Sequence, residues 1–98
     1  MDIEVLYVED CPNVELARER IAAALRAVAG VATVSERLVT SHAEAERRGM
    51  RGSPTVLLDG LDVAAGEAGP SISCRLYRSD GRLEGAPSVA TLVEAFAR

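Results

Sequence analysis

The stretch Ile3 to Val8 (IEVLYV) is an almost unbroken apolar run, rich in β-branched and aromatic residues, that stops abruptly at Glu9-Asp10. A run this short predicts a buried central strand, which places the chain among sheet-centred α/β folds. Cys11-Pro12 follows, and then a segment whose apolar positions Val14, Ile21, Leu25 and Val28 share one helical face, with Gly30 expected as the stop. Pro12 suits the first turn of a helix, where its missing N–H has no partner to lose. Cys11 is therefore expected at or next to the N-cap.

Val31 to Val39 (VATVSERLV) predicts a second strand, and Ser41-His42-Ala43-Glu44 a capping box for a short helix ending near Gly49. After Met50-Arg51-Gly52-Ser53-Pro54, Thr55 to Leu58 predicts a third strand closed by Asp59-Gly60. Residues 61–71 (LDVAAGEAGPS) show no period and predict a surface loop, either an insertion or a lid. Ile72, Cys74 and Leu76 then alternate with Ser73, Arg75 and Tyr77 as in a fourth strand with the first three inward, and Ser79-Asp80-Gly81 turns the chain toward Arg82-Leu83-Glu84. Ser88 caps a last helix with Val89, Leu92, Val93 and Phe96 on one face. The expected order is β-α-β-α-β-β-α: a central mixed four-stranded sheet flanked by helices, as one domain over residues 1–98.

With 98 residues, 48% of them hydrophobic, the chain has material for one core. No apolar run reaches the length of a membrane span and no basic-then-apolar leader is visible, so a cytoplasmic protein without a membrane partner is expected. The net charge is −4 and the eleven cations, all arginine, are scattered, which argues against a nucleic-acid partner. The absence of lysine excludes Schiff-base chemistry and the phosphate-loop lysine.

Two cysteines in a chain of this kind point to free, catalytic or metal-binding thiols rather than a disulfide framework. A thiolate before a helix is stabilised by unpaired N–H groups and the helix dipole, while Glu9 and Asp10 oppose it. Asp10 is also placed to deliver a proton to chemistry at Cys11. Cys74 reads either as a core residue or as a second thiol, and His42 as a solvated first-turn residue. Arg47, Arg48 and Arg51 form a basic cluster suited to an acidic thiol such as glutathione or mycothiol.

The element order, the cysteine between the first strand and first helix, and Ser53-Pro54-Thr55 at the third strand resemble the thioredoxin superfamily over nearly the whole chain. The phrases YVEDCPN, RGSPTVLLDG and SCRLYR resemble small bacterial thioredoxin-like proteins, some of them labelled alkylmercury lyases. The resemblance implies a cis bond before Pro54, a position for Pro54 beside Cys11, and substrate contacts from Pro12, Ser53 and Pro54. Val14 stands where thioredoxin carries its resolving cysteine, so dithiol chemistry within Cys11-Pro12-Asn13-Val14 is excluded.

Three functions stay open. One is thiol–disulfide exchange at Cys11, resolved by Cys74 or by an external small thiol, with no resident cofactor. Another is alkylmercury lyase-like or soft-metal chemistry, in which Cys11 and Cys74 together hold Hg(II) or an organomercurial and Asp10 protonates the leaving carbon. The last is a non-catalytic domain that binds a peptide segment beside Pro54.

Overall fold

The computed structural model describes residues 1–66 and 68–98; Glu67, within the segment expected as a loop, lies outside the described residues. In chain order the elements are β1 (Asp2–Tyr7), α1 (Val14–Val28), β2 (Thr33–Leu38), α2 (His42–Arg48), β3 (Arg51–Ser53), β4 (Thr55–Leu58), β5 (Leu61–Asp62), β6 (Ser71–Cys74), β7 (Tyr77–Ser79), β8 (Arg82–Glu84) and α3 (Val89–Phe96). A mixed sheet of order β2-β1-β4-β5 forms the centre of this α/β fold. The β1-α1-β2 crossover makes β2 parallel to β1, whereas β4 is antiparallel to both β1 and β5.

Strand periodicity divides β1 between two cores. Ile3 and Val5 pack with Ile21, Ala24, Val56, Leu92, Ala95 and Phe96, which puts α1 and α3 over one face. Leu6 packs with Val39, Ala45, Met50 and Leu57, which puts α2 over the other. The caps follow the sequence: Ser41 Oγ accepts from Glu44 N and Ser88 Oγ from Thr91 N, each at 3.1 Å. Glu44 reaches back to Thr40 N at 3.0 Å, one residue before the cap. Asp59-Gly60 and Asp80-Gly81 close two-residue hairpins with both central residues at positive φ, as type I′ turns require.

Helix α1 departs from expectation at both ends. Its N-cap is Asn13, so Cys11 precedes the cap by two residues. At the other end Ala29, not Gly30, takes the left-handed conformation (φ 51°), and Gly30 N closes onto Leu25 O at 3.0 Å. An exposed alanine held there is unfavourable, because its Cβ crowds the following carbonyl. Ala29→Gly is expected to stabilise the fold by about 0.5–1 kcal/mol, read as a raised urea midpoint at unchanged m-value.

The expected fourth strand is corrected. The edge of the main sheet beside β4 is β5, inside the segment expected as a loop, and β6 instead pairs parallel with β3, a strand unseen in the sequence. Ile72, Cys74 and Leu76 face outward, with Ile72 39% and Leu76 64% exposed, while Arg75 and Tyr77 turn inward. One alternating pattern serves either face of a strand, so the sequence pattern alone does not say which side turns inward. What pulls Arg75 and Tyr77 inward is polar: Arg75 has a carboxylate to meet and Tyr77 a carbonyl. The second strand is shorter than Val31–Val39, and all six residues of β2 are exposed at the sheet edge.

Candidate functional site

The turn that carries Cys11 is tied down on both sides. Val8 N donates to Ser53 Oγ at 3.1 Å, and Cys11 N returns to Val8 O at 3.3 Å across Asp10, whose φ of 60° closes the turn. Beyond it, the Asn13 side chain makes no bond to its own helix but lies against Gly85, where a Cβ would fall 2.3 Å from Asn13 Cγ. Arg20 fastens the same linker to α1 through Glu84 at 3.2 Å and Ala86 O at 3.1 Å. Cys11 is half-buried and opens into a cavity of about 380 Å³ that also takes in Asp10, Pro12, Glu15 and Arg18. Arg18 is engaged by Glu36 at 2.5 and 2.7 Å and also pairs with Glu15 at 3.8 Å.

The bond between Ser53 and Pro54 is cis. Both residues, expected as substrate contacts, are fully buried, and their polar atoms are bonded within the fold. Ser53 Oγ holds the Cys11 turn, Ser53 O accepts from Arg75 N at 3.0 Å, and Pro54 O accepts from the Tyr77 hydroxyl. Buried Thr55 donates to Gly52 O at 2.6 Å and accepts from Arg51 N at 3.1 Å and Arg75 Nη1 at 3.3 Å. Arg75 completes the network with Asp62 at 2.7 Å and Ala64 O at 2.7 Å, its guanidinium 4.5 Å from the Tyr77 ring centroid.

Burial pushes the Tyr77 hydroxyl well above the ordinary 10.0; Arg75 opposes the shift, while Asp62 and Cys11 are close enough to add to it. The folded state thus keeps a proton that the unfolded chain releases. Stability is fully present below about pH 10 and falls as pH rises above it, by up to about 1.4 kcal/mol per pH unit. No lysine titrates in that range to obscure the effect. Tyr77→Phe is expected to flatten the alkaline slope of the urea midpoint, while lowering stability near neutrality because Pro54 O loses its donor. An unchanged slope would show that another group carries it.

Cys74 is exposed, not a core residue, and pairs with Ser53 in the β3–β6 ladder. Both cysteines are free, and they flank Ser53-Pro54 without sharing a cavity: Cys74 lines a separate one of about 550 Å³. Its walls include Ala64, Ala65, Gly66 and Ala68 from the segment expected as a loop or lid. Of the expected basic cluster only Arg51 reaches this cavity; Arg48 pairs with Glu44 at 2.9 Å. His42 is exposed at the start of α2. Among the described residues, no group of three or more His, Cys, Asp or Glu is placed to hold a metal ion, and no helix is long and apolar enough to cross a membrane.

Asp62, Thr55, Arg75 and Tyr77 are the positioning residues that the sequence did not single out. The available signal was the pair of polar residues Arg75 and Tyr77 at alternate positions of an otherwise apolar pattern. No known family matches the chain, and neither the characterised proteins nor the solved structures include a match.

Proposed function

We propose that the chain is a thioredoxin-like thiol protein in which Cys11 exchanges with disulfides of small molecules or peptides. The reading is supported by the β2-β1-β4-β5 order, by helices on both faces, and by the cis Ser53-Pro54 bond at the start of the strand antiparallel to β1. The observation that carries it is the placement of Cys11. The thiol sits after the central strand in a turn that Val8 N ties to Ser53 Oγ at 3.1 Å, the residue before the cis Pro54, and it opens to a cavity.

In this reaction the Cys11 thiolate attacks one sulfur of R–S–S–R. The Cys11–sulfur bond forms as the S–S bond breaks, and R–S⁻ leaves with the electron pair and takes a proton from solvent. An external small thiol then attacks the mixed disulfide, releases Cys11 and leaves as part of the new disulfide. Asp10, adjacent to Cys11 in sequence, lines the same cavity. The organomercurial alternative needs two sulfurs on one metal, whereas exchange with an external thiol needs only Cys11, which matches cysteines that line separate cavities.

The test is adduct mapping by peptide mass spectrometry after exposure to hydroxyethyl disulfide. The expected adduct lies on Cys11 in wild type and in Cys74→Ser, and is reversed by added thiol. An unmodified Cys11 would leave a binding domain. Protection of both cysteines by one equivalent of Hg(II) would favour the soft-metal chemistry instead.

A further inference from the structure

The two edges of the main sheet are built differently. Beside β4 the sheet ends in β5, which is two residues long, the kind of short edge that resists extension. At the other edge β2 runs for six residues, pairs with β1 in one unshifted register, contains no proline, and is exposed along its whole length. Thr33 N donates to Met1 O at 3.0 Å and Val39 N to Tyr7 O at 2.8 Å. N–H groups alternate sides along a strand, so Thr33, Ser35, Arg37 and Val39 serve the ladder to β1, and Val34, Glu36 and Leu38 turn their N–H and C=O groups to the open edge. Natural proteins guard such edges with lysine, proline or a bulge. Here the chain has no lysine, and both charges of β2 are drawn back onto its own fold, Glu36 onto Arg18 at 2.5 Å and Arg37 onto Glu4 at 3.2 Å. Val34 and Leu38 flank Glu36 on the sheet face that carries α1, and they are 46% and 41% exposed.

We infer that β2 is a self-association edge, at which a second copy of this chain adds its own β2 antiparallel about a two-fold axis through Glu36. That register sets Val34 opposite Leu38 of the second copy, twice, and lets the outward-turned residues exchange about six backbone hydrogen bonds. The neighbouring two-fold registers are worse. Centred on Ser35, Val34 meets Glu36; centred on Arg37, Leu38 meets Glu36 and the two Arg37 side chains oppose each other. In the favoured register like charges meet only at Glu36, where each carboxylate brings its own Arg18. The Arg18 Nη1 stands 3.8 Å from Glu15, so it keeps donors for Glu36 of the second copy, and the charges alternate across the axis. The contact is isologous and closes at two copies, joining one main sheet to the other. It does not depend on the reading of Cys11.

The experiment uses the full chain with Cys11→Ser/Cys74→Ser, so that no native thiol can link two copies. Sedimentation equilibrium is expected to show a monomer–dimer equilibrium with Kd on the order of 10–100 μM, because one strand pair buries less than a standard interface. Val34→Lys/Leu38→Lys places like charges opposite each other and is expected to weaken association by at least about tenfold. Its thermal midpoint stays near that of the parent, since both side chains are exposed. Register is read by single cysteines added to the same background. Glu36→Cys is expected to oxidise to a linked dimer, its two Cα atoms about 5.5 Å apart, within disulfide reach. Thr33→Cys, which lies opposite Val39 of the second copy, is expected to link at least about tenfold more slowly. A monomer throughout the range up to on the order of 1 mM, far above the expected Kd, would overturn the inference. So would a dimer indifferent to the lysines, or Thr33→Cys linking as fast as Glu36→Cys.

Discussion

Asp62→Ala is expected to destabilise the protein by about 3–5 kcal/mol, a large fraction of the roughly 5–15 kcal/mol that holds a domain of this size together. The Asp62 and Arg75 side chains are 7% and 11% exposed, so removing the carboxylate strands a largely buried guanidinium without a counter-charge. Ala64 O and Thr55 Oγ1 remain as partners but carry no charge to balance it. The pair joins β5 to the segment after β6 and lies against Tyr77, so the loss spreads to the Ser53-Pro54 region. Thermal unfolding should show Tm lowered by more than about 10 °C. Asp62→Leu/Arg75→Met, which removes both charges, should recover most of the loss, because the penalty belongs to the unpaired ion. A single variant as stable as wild type would mean that water reaches Arg75.

Gly52→Ala carries the next largest effect, about 2–4 kcal/mol. Gly52 has φ 109°, a conformation that L side chains rarely adopt, and a Cβ there would stand 2.8 Å from Arg75 Cβ and 3.1 Å from Ser73 O. Neither neighbour yields cheaply, since Arg75 is anchored by its ion pair and Ser73 O is backbone. Gly49, at φ 78° with open space around it, is the control: Gly49→Ala bears the conformational cost alone, about 1 kcal/mol. The difference between the two urea unfolding free energies measures how tightly β3 and β6 are pressed together. Equal losses would contradict the close approach.

Much of this architecture was legible in the sequence because local signals and burial agree. The β1 run, the caps at Ser41 and Ser88 and the Asp-Gly turns are each specified within a few residues. The placement of Cys11 after β1 was equally readable. The misreadings lie where long-range polar contacts decide. Ile72, Cys74 and Leu76 carry the pattern of a core strand, yet Arg75 and Tyr77 take the inside because Asp62 and Pro54 O wait there, 13 and 23 residues away. Ser53 and Pro54 were noticed for their sequence signature, but nothing local told that their polar atoms are consumed by Val8, Arg75 and Tyr77. The two cavities arise only when α1, β6 and the segment after β5 are brought together.

The central claim is that Cys11 is the exchanging thiol, and the most direct measurement is turnover: reduction of hydroxyethyl disulfide by an excess small thiol, with wild type, Cys11→Ser and Cys74→Ser compared. The account predicts that Cys11→Ser loses the protein-dependent rate by at least about 100-fold, since a serine hydroxyl does not replace a thiolate nucleophile, while Cys74→Ser stays within about threefold of wild type. A Cys11→Ser protein that keeps its rate, or a wild type no faster than the uncatalysed exchange, would contradict it.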